Sequence, residues 1–196
     1  MRCLVVKAHP LSESLCSSMT RRVVEMLQAE GHEVTLEDLY AEKFDAAMTA
    51  AERTSYYQGQ YSTQAVSEQV EHLLSAEAIV LVFPTWWFSY PAILKGWFDR
   101  VWAPGVAYDH SPGYGPIKAR LHNLREMLVI TSLGAPQWVD RLIMKEPVKR
   151  VLKKAIVGPC APKCRFQMVS MYKSESLTSA QVDEFWLRVK RALSRW

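Results

Sequence analysis

The 196-residue sequence has little cysteine and no long apolar run. Its four cysteines are too few for a disulfide framework, and only Cys160 and Cys164 are close together, without a second pair or a histidine cluster. We therefore predict no metal site and a reducing compartment. The longest apolar run, residues 78–83, is far shorter than the ~20 residues that span a bilayer. The first residues also lack the pattern of a secretory signal, so we expect a soluble, cytoplasmic protein.

An acidic excess is missing as well, because the formal net charge is +4 and the pI is about 8.9. The positive charge is local: residues 141–165 hold eight Lys or Arg and a single acidic residue, Glu146. Four of these cations recur every fourth residue and would line one face of a helix: Arg141, Lys145, Lys149 and Lys153. The pattern favours a solvated helix face over a nucleic-acid or membrane patch, since no aromatic residues are interleaved with the charges. We predict no nucleic-acid partner.

Short apolar runs alternate with longer amphipathic segments along the whole chain. The runs have the length and β-branched content of buried strands, and we predict strands at residues 3–8, 33–39, 78–83, 127–133 and 165–171. The amphipathic segments predict helices at residues 15–30, 64–75, 91–102, 137–157 and 178–195. We expect the first helix to end at Gly31, the fourth to be interrupted near Pro147, and the last to begin at the N-cap Thr178. Residues 41–63 read as a loop with a short helix.

This alternation predicts one α/β domain over residues 1–196, with a doubly wound parallel sheet of strand order 2-1-3-4-5. Parallel strands need crossovers that are long enough to hold a helix, so helices should cover both faces. A sheet of this order binds its ligand beyond the carboxyl ends of the strands, at the switch between strands 1 and 3, with strand 4 beside them. The candidate binding loops therefore begin at His9, Pro84 and Thr131.

The first of these loops is rich in hydroxyl groups at the start of a helix, namely Ser12, Ser14, Ser17 and Ser18. Free N–H groups and the helix dipole there attract an anion, although simple N-capping by Ser12 or Ser14 explains the serines equally well. No Gly-x-x-x-x-Gly-Lys and no Gly-x-Gly-x-x-Gly motif follows strand 1. The sequence therefore supports neither a P-loop enzyme nor an ordinary dinucleotide-binding Rossmann domain.

The second loop places three consecutive aromatic residues, Trp86 to Phe88, after a buried strand and between Pro84 and Pro91. A turn of this kind offers apolar walls and backbone donors to a flat ring such as the isoalloxazine of a flavin. Residues 84–101 resemble the signature of the NAD(P)H:quinone oxidoreductase (DT-diaphorase) family, including its bacterial members. Ala8-His9-Pro10, followed by Ser12 and Ser14, is similar to that family's first flavin loop, and the resemblance extends to about Arg141.

The resemblance implies a flavodoxin-like fold and a flavin-dependent NAD(P)H oxidoreductase. In such an enzyme hydride passes from NAD(P)H through the flavin to a quinone or similar acceptor in a ping-pong cycle. The residues implied at the flavin's phosphate tail are His9, Ser14, Leu15 and Cys16. Those implied at the ring are Pro84, Thr85, Trp86, Trp87, Phe88, Thr131, Ser132, Leu133 and Gly134. Leu15 and Cys16 depart from the Phe-Asn pair of the animal enzymes, and Leu133 replaces a glycine.

The catalytic residues that the resemblance suggests are Trp87, Tyr108, His110 and Lys145. Tyr108 and His110, which could also be an ordinary surface loop, align with a segment that lines the partner subunit's substrate pocket, so a homodimer is expected. The animal enzymes carry a catalytic Tyr and His at positions that match Val139 and Lys145 here, so that pair is absent and Lys145 could replace it electrostatically. The family favours FAD, with FMN possible.

The sequence is also compatible with two other functions. One is a flavodoxin-type electron carrier, although such carriers tend to be acidic and this chain is basic. The other is a flavin-binding regulatory subunit of a potassium-efflux antiporter, which would associate peripherally with that membrane transporter. The basic residues after Arg141 would suit such docking, and they would equally suit the 2′-phosphate of NADPH.

Overall fold

A five-stranded parallel sheet forms the centre of the molecule. The molecule is described by a computed structural model that covers residues 1–56, 58, 61–111, 113 and 115–196. The strands are β1 (Arg2–Lys7), β2 (Glu33–Asp38), β3 (Ala78–Pro84), β4 (Glu126–Leu133) and β5 (Arg165–Tyr172). All neighbouring strands are parallel, in the order β2-β1-β3-β4-β5. The predicted fold and strand order are therefore confirmed, and each strand begins and ends within one residue of its prediction.

Helices cover both faces because side chains alternate along each buried strand. They are α1 (Leu15–Ala29), α2 (Ala50–Ser55), α3 (Ser67–Ser75), α4 (Ala92–Val101), α5 (Pro147–Arg150), α6 (Gly158–Cys160) and α7 (Ser179–Leu193). Leu4 and Val6 point into the core shared with α3 and α4. Cys3 and Val5 point into the opposite core with α1 and α7. The central strand β3 is buried along its whole length.

The helix ends follow the sequence signals. Ser14 caps α1, and Gly31 follows the helix with φ +79°, a conformation that glycine adopts without strain. Thr178 caps α7, as predicted, and it forms a capping box with Gln181. A 3₁₀ turn, Gln64–Val66, leads into α3, and a short antiparallel ribbon joins Tyr108–Asp109 to Lys118–Ala119.

The predicted fourth helix is interrupted before Pro147, as expected, but it is not an α-helix along most of its length. Val139–Ile143 and Val151–Val157 are π-helical. Between them Lys145 and Glu146 both have positive φ values, 59° and 49°, which ends any continuous helix. The four-residue spacing of the basic residues therefore does not define a single helix face.

Two buried polar clusters tie the helices to the sheet and to the segment around α2. Glu37 on β2 accepts hydrogen bonds from Trp97 Nε1 at 2.8 Å and pairs with His72 Nδ1 at 2.8 Å. Burial outweighs these partners and raises the pKa of Glu37. Arg100 on α4 donates to Glu52 from Nε at 2.9 Å and from Nη2 at 2.7 Å, and it also bonds the backbone oxygen of Asp45. The second cluster fastens the irregular segment around α2 to the core.

Within the described part of the chain, no helix is long and apolar enough to cross a membrane. The same residues contain no group of three or more His, Cys, Asp or Glu side chains that could hold a metal ion. All four cysteines are free thiols.

Candidate functional site

The loops that follow β3 and β4 meet at the carboxyl edge of the sheet, where the strand order predicts a ligand site. The N–H of Thr85 donates to the carbonyl of Ser132 at 2.7 Å, and the hydroxyls of Thr85 and Thr131 are 2.9 Å apart. Beside this junction lies a cavity of about 180 Å³, lined by Thr85, Trp87, Phe88, Leu133, Gly134 and Ala135. Five of these residues belong to the predicted ring-binding set, and Ala135 was not predicted.

The tip of the β3 loop is a tight two-residue turn. Trp86 and Ser89 exchange backbone hydrogen bonds of 2.9 Å in both directions. The two central residues, Trp87 and Phe88, have φ values of 51° and 55°, which makes this a type I′ turn that normally carries Asn or Gly. Trp87 is 100% exposed, whereas Phe88 is half-buried. Most residues other than glycine and asparagine are strained at such φ values, so the turn holds its aromatic residues at a conformational cost.

The first loop is closed by its own hydrogen bonds. His9 Nδ1 accepts from the N–H of Leu11 at 3.1 Å, and Ser17 Oγ donates to the carbonyl of Leu11 at 2.9 Å. Ser14 Oγ accepts from the N–H of Ser17 at 3.1 Å, so Ser14, and not Ser12, is the N-cap. The His9 ring lies 6.3 Å from the Trp86 ring, which brings the first loop beside the aromatic turn.

Leu15 and Cys16 can offer a ligand their backbone N–H groups. Both belong to the first turn of α1, where N–H groups have no acceptor within the helix. The thiol of Cys16 is buried in the core, and this burial raises its pKa to about 12. Cys16 can therefore contribute its backbone N–H to an anion but not a reactive thiolate.

Tyr108 and His110 do not line the Trp87 cavity. They line a separate, more apolar cavity of about 360 Å³, together with Tyr90, Phe98 and Trp102 of the α4 region. The Tyr108 hydroxyl is 2.9 Å from the Tyr56 hydroxyl, and the Tyr108 and His110 rings meet edge to face at 5.3 Å. Within one chain, Trp87 therefore borders one cavity and the pair of Tyr108 and His110 borders another.

Lys145 is also outside the Trp87 cavity. It is exposed and sits at the break before α5, and no carboxylate of a described residue lies within 4.0 Å of its Nζ. The structure therefore does not bring Lys145 together with the aromatic turn.

One polar group at this edge was not predicted. Tyr172, the last residue of β5, is in register with Leu133 and donates its hydroxyl to Asp140 Oδ2 at 3.0 Å. Burial, with the carboxylate of Asp140, raises the pKa of Tyr172. Lys173 lines a further cavity of about 290 Å³, and its N–H bonds the carbonyl of Ala135 at 3.4 Å. No motif marks these residues, and only their position at the end of a strand could have drawn attention to them.

A doubly wound sheet with a loop cavity at its switch point defines a flavodoxin-like protein. The family model described as "Flavodoxin-like fold" matches residues 1–181, and the chain belongs to this family. Among curated relatives, NAD(P)H dehydrogenase [quinone] 1 of Cavia porcellus is 34% identical over 151 residues, which is 68% of this chain and 54% of that protein. The resemblance seen in the sequence is confirmed. The chain spans about half the length of the first curated relatives that it matches.

Solved structures share the fold of this chain. A candidate quinone reductase from Klebsiella pneumoniae is 27% identical, with a TM-score of 0.80 over 100% of this chain and 85% of that chain. An FMN-dependent NADH-azoreductase from Bacillus anthracis, solved in complex with FMN, is 20% identical, with a TM-score of 0.76 over 100% of this chain and 99% of that chain. This second likeness shows the shared fold.

Proposed function

We propose that this chain is a flavin-dependent NAD(P)H oxidoreductase that passes two electrons to a quinone-like acceptor. The observation that carries the proposal is the cavity between the aromatic turn and the Thr131–Gly134 loop, at the switch point of the sheet. Five of the nine residues that the family resemblance assigns to the ring of the cofactor border this cavity: Thr85, Trp87, Phe88, Leu133 and Gly134. The name of the Cavia porcellus relative supports the donor and the acceptor class.

The chemistry of the cavity fits a flavin ring. The ring needs apolar contact on its face and hydrogen-bond donors along its carbonyl and nitrogen edge. Among the described residues, the backbone N–H groups of Trp87, Phe88 and Gly134 have no acceptor, so they are available as donors. At the other end, the uncapped N–H groups of Leu15 and Cys16 and the dipole of the 15-residue helix α1 favour a phosphate.

When bound, the flavin would supply the hydride-transfer chemistry, accepting from nicotinamide and donating to the acceptor. The chain's residues supply geometry and charge stabilisation. Backbone donors at Trp87, Phe88 and Gly134 would stabilise negative charge on the pyrimidine side of the ring. Trp87 would cover part of the ring and leave one open face, on which donor and acceptor bind in turn at near-attack distance.

We further propose a single domain that works as a homodimer, with Tyr108 and His110 completing the pocket of the second copy. Their position supports this arrangement, because within one chain the pair lines a cavity that Trp87 does not border. Lys145 would act on the donor from a solvated position. We propose FAD as the flavin on the family resemblance; the Bacillus anthracis relative, which binds FMN, makes FMN the alternative.

The test is the colour and turnover of the purified protein. We expect a yellow protein whose released flavin is identified by mass spectrometry, and NAD(P)H oxidation with a water-soluble quinone that gives parallel lines in a double-reciprocal plot. An electron carrier would bind flavin without this turnover. A protein that stays colourless after incubation with FAD and with FMN would refute the proposal. Light scattering near the 22.4 kDa of one chain would refute the homodimer alone.

A further inference from the structure

Residues 138–154, which we call the basic segment, expose large apolar side chains to solvent. Leu142 is 71% exposed, Ile143 62% and Trp138 58%. The segment is held to the body through buried residues, namely Asp140, Val148 and Leu152, so its apolar side chains project from a fixed base. Exposed large apolar residues that are grouped in one segment mark an interaction surface more often than scattered ones do.

The same segment carries the charge of the whole molecule. It contains six Lys or Arg and two Asp or Glu, a net charge of +4, which equals the net charge of the full chain. The rest of the sequence is therefore balanced. Among the described residues, four of the cations have no carboxylate within 4.0 Å: Lys145, Arg150, Lys153 and Lys154. Within 17 consecutive residues the segment thus combines exposed apolar side chains with uncompensated positive charge.

We propose that the basic segment docks the protein on the surface of an anionic lipid bilayer. Cations attract the anionic headgroups, while Trp, Leu and Ile side chains insert at the boundary between headgroups and acyl chains. The docking is peripheral, because no helix in the described residues could cross the bilayer. Only Pro136 and Gln137 separate the segment from Ala135, which lines the Trp87 cavity, so docking would hold that cavity near the lipid surface.

Charge argues against the other occupants. A symmetric dimer that placed the patch on its two-fold axis would bring +4 against +4 across a low-dielectric contact. A nucleic acid would satisfy the charges but would leave Leu142 and Ile143 without an apolar partner, since phosphate and base contacts come mainly from polar and aromatic side chains. An anionic bilayer satisfies both features at once.

The test is sedimentation of the flavin-loaded protein with vesicles of phosphatidylcholine alone or mixed with phosphatidylglycerol. We expect binding only to the anionic vesicles, with weakening as salt rises. Each exposed cation near such a surface strengthens binding about fivefold, so Lys153→Gln/Lys154→Gln should weaken it about 25-fold. Leu142→Ser/Ile143→Ser should weaken it about tenfold through lost apolar burial.

Matched controls have the same chemistry elsewhere on the surface. Lys118→Gln/Lys190→Gln removes two exposed cations outside the segment, and Leu74→Ser/Leu187→Ser removes two exposed leucines. Both should bind like the parent. The proposal is overturned if the wild-type protein does not bind anionic vesicles at low salt. It is also overturned if Leu142→Ser/Ile143→Ser changes the mass of the protein in solution but not its vesicle binding, which would assign the patch to a second copy. Nucleic-acid binding lost with the lysines, without vesicle binding, also overturns it.

The outcome is separable from that of the proposed function. None of the four double variants touches the Trp87 cavity, so flavin content and turnover with a water-soluble quinone should stay at the parent level. Vesicle binding by a protein without flavin would leave the docking surface standing while the oxidoreductase proposal fails.

Discussion

Trp87→Asn should make the chain more stable while weakening its hold on flavin. Trp87 is fully exposed, so its replacement removes no buried apolar surface from the free chain. Its φ of 51° is costly for most L-residues, by roughly 1–2 kcal/mol, whereas Asn tolerates this conformation in type I′ turns. We expect the free energy of unfolding to rise by up to about 1 kcal/mol, measured by urea denaturation of the flavin-free protein.

The flavin affinity should move in the opposite direction. A tryptophan side chain buries roughly 150–250 Å² when fully enclosed, and contact with one face of a ring covers about half of that. At about 25 cal/mol per Å², the loss of some 100 Å² of apolar contact costs about 2.5 kcal/mol. The dissociation constant, measured by quenching of flavin fluorescence on titration, should therefore rise about 70-fold.

Lys43→Asn is the matched control. Lys43 is exposed and has a φ of 53°, so the substitution relieves the same left-handed strain at a position that lines none of the described cavities of the site. It should stabilise the chain and leave flavin affinity unchanged. If Trp87→Asn bound flavin as tightly as the parent while folding normally, the ring would not lie against this turn and the site would have to be redrawn.

Three further predictions concern buried and exposed charges. Glu37 has a raised pKa, so its contribution to stability is greatest below the carboxyl's ordinary pKa of about 4.5 and declines as pH rises through the folded-state value. Glu37→Gln should remove this decline, so the unfolding free energy of the parent should fall relative to that of the variant as pH rises above about 4.5. Arg100→Met should cost about 3–5 kcal/mol of unfolding free energy because it leaves the carboxylate of Glu52 buried alone. Adding Glu52→Gln to this variant should restore part of the lost stability. An equal loss in the single and the double variant would contradict the ion-pair explanation. Lys145→Ala should leave flavin affinity unchanged and raise the KM for NAD(P)H by at most about fivefold, as expected of one solvated charge. Loss of flavin from this variant would show that Lys145 belongs to the ring site.

The central strands of the sheet could be predicted because they are short, apolar and bounded by clear breaks. β3 is buried on both faces, and its unbroken apolar run from Ala78 to Phe83 reports that directly. Helix ends were predictable where a single residue type decides them, as with Thr178 before α7 and Gly31 after α1. The position of the loop cavity followed from strand order alone, since ligand sites lie at the switch point.

What could not be predicted depends on tertiary contacts that leave no local signal. The π-helical turns around α5 share the apolar period of an α-helix closely enough to be read as one. The buried pair of Arg100 and Glu52 joins residues 48 positions apart, and nothing near either residue announces the partner. The type I′ turn was also hidden, because its usual Asn or Gly is replaced by Trp87 and Phe88.

That hidden turn links the local strain to the proposed chemistry. A sequence under selection for stability alone would place Asn-Gly at the tip, where the chain gains nothing from two aromatic side chains and one of them is wholly exposed. Trp87 is fully exposed in the free chain, so a ligand that covers it and accepts hydrogen bonds from the unpaired N–H groups beside it would offset the strain. A flat heterocycle with polar edges does both. The serine loop already pairs several of its own hydrogen-bonding groups, whereas the N–H groups at the tip of the aromatic turn have no acceptor among the described residues. Substitutions in the aromatic turn should therefore discriminate most sharply between a flavin protein and a chain that shares only the fold.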